Sequence, residues 1–118
     1  MIKIKRAYEA QSPEDGYRIY VDRIWPRGLS HETFHYDQWD KEIAPSTELR
    51  HWFHESPSSR WEEFRGRYRQ ELECNPDASA LAREVAKHAE VTLLYSSKDE
   101  THNNAVILQK YLEEKLNS

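Results

Sequence analysis

VTLLYSSKDETHNN, residues 91–104, joins two chemically opposite halves. Val91 to Tyr95 run without apolar–polar alternation, and Ser96 to Asn104 hold no hydrocarbon side chain. A strand with one face in water alternates; a strand covered on both faces reads as a short continuous apolar run. Residues 91–95 therefore belong inside a parallel sheet. Ser97 and Glu100 have the spacing of a capping box. That spacing predicts a final helix to about Lys115, with Leu108, Leu112 and Leu116 turned inward. Strands that feed helices define α/β folds, and unpaired amides at such a junction attract anions.

The rest of the chain fits this frame. Residues 2–8 begin with strict alternation and read as a strand, and Ser12 to Gly16 is turn chemistry. Tyr17 to Ile24 is a second strand, apolar on both faces over Ile19, Tyr20 and Val21. The link between these strands is too short for a helical crossover, which takes about a dozen residues or more. They pair as a hairpin, or another strand separates them. A short helical piece is expected around residues 36–42. Ser46 or Thr47 caps a helix over 47–55 whose Leu49, Trp52 and Phe53 share a face. Trp61, Phe64, Tyr68 and Leu72 mark a helix over 59–73, and Asn75-Pro76 opens another. The sum is a small α/β domain, residues 1–118. Its sheet of few, mostly parallel strands is covered by about four to five helices.

Composition narrows the function classes. The 118 residues are 32% charged yet 12% aromatic, which excludes a disordered profile. A net charge of −4 disfavours nucleic acid as a partner, since coating phosphates needs many cations. Ten of the 17 basic residues are arginine, however, so a local cationic site is open. No apolar run approaches the roughly 20 residues of a membrane span. The N-terminal MIKIKRAY reads as a strand rather than a signal peptide. Cys74, the lone cysteine, excludes an internal disulfide and has no basic neighbour to activate it. A cytoplasmic protein is expected. Only three glycines, at 16, 28 and 66, leave no room for a glycine-rich phosphate loop, so no cofactor is expected.

Two segments lie beyond strand ends, where ligands gather in open α/β sheets. The first is Asp22-Arg23-Ile24-Trp25-Pro26-Arg27-Gly28. Pro26 ends the ladder by removing a donor, and a guanidinium held on the Trp25-Pro26 platform grips an oxyanion in bidentate fashion. The structural alternative makes Trp25 core and gives Arg23 a carboxylate partner. The second is Lys98 to Asn103. His102 is the proton-transfer candidate because imidazole titrates near neutrality, with Asp99 to orient it. The bland alternative leaves Ser97, Asp99 and Asn103 as caps and His102 as an exposed helical residue. Ser46 either caps its helix or helps Arg50 hold an anion. Arg67 is explained by salt pairs to Glu63 and Glu71 at helical spacing.

His31-Glu32-Thr33-Phe34-His35 matches the H-E-x-x-H zinc motif. Metal binding needs both imidazoles on one helix face. The segment follows Pro26-Arg27-Gly28 and has no sustained helical period, so it is read as surface and no metal is expected.

The stretches VDRIWPRGL (21–29), APSTELRHWFH (44–54), W-x-x-F-x-x-R-Y-x-x-E-L (61–72) and VTLLYSSKDETHNNAVIL (91–108) together resemble the bacterial YeaO-like family, a domain of unknown function. The likeness covers nearly the whole chain and implies a small cytoplasmic α/β domain without implying a mechanism. The matching motifs include Asp22, Arg23, Trp25, Arg27, Ser46, Arg50, Arg67, Tyr68, Lys98, Asp99, His102 and Asn103. The expected function is binding of a small anionic ligand, phosphate- or nucleotide-like, with hydrolysis through activated water as the mildest chemistry. The alternative is a binding or regulatory module in which Trp25 and the arginines meet a protein or single-stranded nucleic acid.

Overall fold

The computed structural model describes residues 1–117. Four parallel strands form one sheet in the order β1-β4-β2-β3: β1 Ile2–Arg6, β2 Tyr17–Tyr20, β3 Gln38–Trp39 and β4 Val91–Tyr95. Leu93 pairs with Ile4 on one side and Ile19 on the other. β4 is thus central, which is why all five of its residues are buried. The hairpin reading of β1 and β2 gives way to its alternative: β4 separates them. Residues 7–16 carry the chain across β4 with no helix, only a 3₁₀ turn at Pro13–Asp15. Two strand spacings and the return along a short strand lie within the roughly 33 Å that ten residues span when extended.

Gly16 makes that crossing possible. Its φ is +66°, and a β-carbon there would collide with the carbonyl oxygen of Glu90. Beside it, buried Asp15 accepts hydrogen bonds from Lys5 Nζ (3.0 Å), the Ser12 N–H (3.0 Å) and the Arg18 guanidinium. Its own carbonyl accepts from the Thr92 hydroxyl at 2.7 Å. A buried ion pair satisfied on all sides locks the crossover to β4.

Four helices follow: α1 Thr47–Glu55, α2 Pro57–Cys74, α3 Pro76–Val85 and α4 Asn104–Leu116. All four lie on one face. Ile19, Val21 and Leu93 meet Phe53 of α1, Phe64 and Tyr68 of α2, Leu81 of α3 and Leu108 of α4 in one core. The alternate side chains, Tyr20 and Leu94, point the other way and meet Phe34, Trp25, Tyr36 and Trp39. That face is roofed by the irregular segment 24–37, with no helix. Among the described residues the helical side holds a cluster of twenty buried residues and the other face one of four, and fully burying an aliphatic or Phe side chain contributes about 1.5–3 kcal/mol.

Several boundaries differ from expectation. β2 ends at Tyr20, not Ile24. Val21 N–H still donates to the Leu94 carbonyl (3.0 Å), but Asp22 is then drawn away by other partners. The helical piece expected at 36–42 is instead β3 and a 3₁₀ turn, Lys41–Ile43. The N–H groups of Asp37 and Asp40 donate to the Arg18 and Tyr20 carbonyls, so the edge of β2 takes the hydrogen bonds a helix would have used. The helix expected from 59 begins at Pro57. α4 begins at Asn104, because Asn103 caps it by accepting from the Val106 N–H at 3.1 Å. Leu116 is exposed; Tyr111 takes the buried place beside Leu108 and Leu112. Among the described residues no helix is long and apolar enough to cross a membrane.

Candidate functional site

β2 and β4 run parallel, so their carboxyl ends lie side by side. Asp22 ties them together. Its Oδ2 accepts from the Ser96 N–H (2.9 Å) and hydroxyl (2.6 Å), and its Oδ1 accepts from Asn104 Nδ2 (3.0 Å) at the start of α4. Beyond this knot the chain after β2, the loop after β4 and the face of α1 enclose a cavity of about 480 Å3. Arg23 and Ile24 form one wall, Pro45, Arg50, Phe53 and His54 the second, and Lys98, Asp99 and His102 the third; Phe64 of α2 reaches it as well.

The charges in this cavity are unequally satisfied. Arg23 Nη2 donates to the Ala44 carbonyl at 3.3 Å, and Nη1 lies 3.9 Å from Glu42. Its Nε–H is buried and has no partner among the described residues. An orphaned buried donor costs about 1–3 kcal/mol. The side chains of Arg50 and Lys98 make no hydrogen bond or ion pair with any described residue. The two carboxylates, by contrast, are engaged, Asp22 through both oxygens and Asp99 through Oδ1. Asp22 is bound as above. Asp99 Oδ1 accepts from the N–H groups of Thr101 (3.0 Å) and His102 (2.9 Å), and those bonds hold its pKa below the usual carboxylate value. Burial, and then the Arg50 charge, push the His54 pKa down, which favours a neutral imidazole able to donate or accept.

The fold brings together Arg23, Arg50, Lys98, Asp99, His102 and Asn103 from three distant segments. Their roles within it differ. Asn103 is spent on structure: Oδ1 caps α4 and Nδ2 donates to the Asp99 carbonyl at 2.8 Å. His102 Nδ1 is 3.0 Å from the Thr101 hydroxyl and 3.6 Å from Asp99 Oδ2, and its ring sits edge-on to Trp61 at 4.7 Å. Asp99 shapes the turn more directly than it orients the imidazole.

Three expected residues lie elsewhere. Trp25 turns to the opposite face of the sheet, where its Nε1 donates to the Leu29 carbonyl (2.6 Å) and its ring packs on His31 at 4.0 Å. Arg27 follows it beyond buried Pro26 and is exposed. Ser46 is an N-cap, accepting from the Leu49 N–H while its hydroxyl donates to Glu71 at 2.6 Å. It borders a second, more open depression beside Trp52. The H-E-x-x-H segment is a turn over His31 to Thr33 followed by irregular chain, so its two imidazoles do not share a helix face. Arg67 pairs with Glu63 and lies over the Trp52 ring, and Tyr68 donates to the Ile43 carbonyl at 2.7 Å. Asp22 and His54 escaped the sequence reading as pocket groups. His54 was accessible to it: it stands four residues after Arg50 and so shares its helix face.

A parallel α/β sheet with a cationic cavity off its strand ends is thus the class of protein in hand. Residues 1–118 match the family described as "Inactive DUF488-N3 subclade", and the chain belongs to that family. It is 43% identical over 111 residues to "Uncharacterized protein YeaO" of Escherichia coli (strain K12), covering 94% of this chain and 96% of the relative. It is 37% identical over 113 residues to "Uncharacterized protein Rv3073c" of Mycobacterium tuberculosis (strain ATCC 25618 / H37Rv), covering 94% and 92%. The YeaO-like resemblance read from the four motifs therefore holds. No solved structure matches the chain.

Proposed function

We propose that the chain binds a small anionic ligand in the cavity between Arg23, Arg50 and Lys98, and holds it without turning it over. The observation that carries this reading is the imbalance of satisfaction: Asp22 is hydrogen-bonded at both oxygens and Asp99 at Oδ1, while the Arg50 and Lys98 side chains have no partner among the described residues. An oxyanion supplies what is missing, since arginine forks match its geometry. The family description, with its word "inactive", favours binding over hydrolysis. So does the engagement of His102 by Thr101. The nucleic-acid module draws less support, because the Trp25 indole it needs is packed against Phe34 and Trp39. A cytoplasmic setting belongs to the same proposal, supported by the free Cys74.

The test is thermal unfolding in inorganic phosphate and sulfate at constant ionic strength. A ligand at a hundredfold excess over its Kd stabilises by about 2.7 kcal/mol. Stabilisation in the parent that vanishes in Arg50→Ala and Lys98→Ala supports the site. No anion effect, or one equal in all three proteins, removes it.

A further inference from the structure

We infer that the ligand is an amphiphilic anion: a single oxyanion head on a compact apolar body about the size of one ring. This rests on the anion-binding reading above and adds the rest of the molecule. Three observations carry it. The cavity, at about 480 Å3, has room for about 16 waters at roughly 30 Å3 each, far beyond the needs of a tetrahedral oxyanion. It falls within the range of about 300–1,000 Å3 that organic ligands occupy.

The lining is divided. The cations stand at Arg23, Arg50 and Lys98, polar side chains of the loop after β4 line one side, and hydrocarbon from Ile24, Pro45, Phe53, Pro57 and Phe64 lines another. Phe53 and Phe64 stack on each other at 4.2 Å, which makes a rigid aromatic floor rather than a collapsible one. Ile24 is 55% exposed, an aliphatic side chain left beside the opening with little to cover it. An inorganic ion would leave this whole surface wet.

The charge count limits the head to one group. Three cations face two carboxylates, Asp22 and Asp99, so these lining groups carry one net positive charge. A polyphosphate would meet too few cations, and a neutral ligand would leave the charges of Arg50 and Lys98 uncompensated.

Isothermal titration of the full chain with phenyl phosphate, inorganic phosphate and benzyl alcohol at matched ionic strength tests this. Phenyl phosphate is expected to bind at least about tenfold more tightly than inorganic phosphate, an increment of about 1.4 kcal/mol. Benzyl alcohol is expected to bind at least about tenfold more weakly than phenyl phosphate. Ile24→Ser and Pro57→Ser change side chains outside the buried core and are expected to erase most of the phenyl advantage while sparing phosphate affinity. Equal binding of the two phosphates overturns the amphiphilic ligand and leaves the anion site standing. So does a phenyl advantage that survives in both variants. Benzyl alcohol binding as tightly as phenyl phosphate, or no binding by either phosphate, overturns the anion site as well.

Discussion

Replacing Asp40 by Asn should flatten the pH dependence of stability. Asp40 follows β3 and caps the 3₁₀ turn by accepting from the Ile43 N–H at 3.2 Å. It is 7% exposed. Asp77, in the first turn of α3, stands beside it, and its buried Oδ2 has no donor other than a proton shared with Asp40. Two facing carboxyl groups in a dry site share a proton more readily than they share two charges. Burial, and then the hydrogen bond and charge of Asp77, raise the Asp40 pKa from 3.8 to about 7. The folded chain therefore keeps a proton that the unfolded chain releases near pH 4. The stability this confers is fully present below about pH 4 and is lost as pH rises through about 7. A gap of about three pH units at about 1.4 kcal/mol each sets a ceiling of about 4 kcal/mol. Asparagine keeps the oxygen that accepts from Ile43 and adds an N–H2 to donate to Asp77, with no charge at any pH. Urea unfolding followed by circular dichroism at pH 5 and pH 8 measures the difference. The parent should lose at least about 2 kcal/mol more than Asp40→Asn across that interval, and the variant should be the more stable at pH 8. Parallel pH curves for the two proteins would refute the shared proton.

Three further outcomes follow from the geometry. Gly16→Ala places a β-carbon against the Glu90 carbonyl at a positive φ and should cost at least about 2 kcal/mol; a loss below about 0.5 kcal/mol in urea unfolding would contradict the crossover described. Asp15→Ala strands Arg18, which is 3% exposed, and should cost about 3–5 kcal/mol; chemical denaturation at pH 7 with a loss under about 1 kcal/mol would show that Arg18 finds water instead. Arg50→Ala removes a side chain without a partner and should change stability in ligand-free buffer by less than about 0.5 kcal/mol; a larger loss by thermal denaturation would mean the guanidinium already serves the fold.

The central strand was legible because Val91 to Tyr95 never alternate, and only a strand covered on both faces tolerates that. β3 was not legible. Gln38-Trp39 has neither an apolar run nor alternation, and it becomes a strand only because β2 offers an open edge. The start of α4 was misread for a similar reason. Ser97 and Glu100 have capping spacing, but Asp99 closes a turn onto Thr101 and His102 first, and Asn103 caps the helix six residues after Ser97. Within the pocket, Arg23, Arg50 and Lys98 were visible as cations beyond strand and helix boundaries. Their convergence depends on β4 lying beside β2, which no local pattern encodes. Trp25 and Arg27 carried a strong local motif, yet their direction depends on the strand ending at Tyr20 rather than Ile24. Ser46 shows the same limit, since Glu71, which engages its hydroxyl, is 25 residues away.

The lopsided sheet, with helices on one side and segment 24–37 on the other, divides the indoles evenly. Trp25 and Trp39 pack beneath the irregular roof, while Trp52 and Trp61 pack against the helical layer. Segment 24–37 has few backbone hydrogen bonds of its own, so it should loosen at lower free energy than the helices. Emission from a chain carrying Trp52→Phe and Trp61→Phe would then shift red while far-ultraviolet ellipticity stays constant, and each side of the molecule would acquire its own optical reporter.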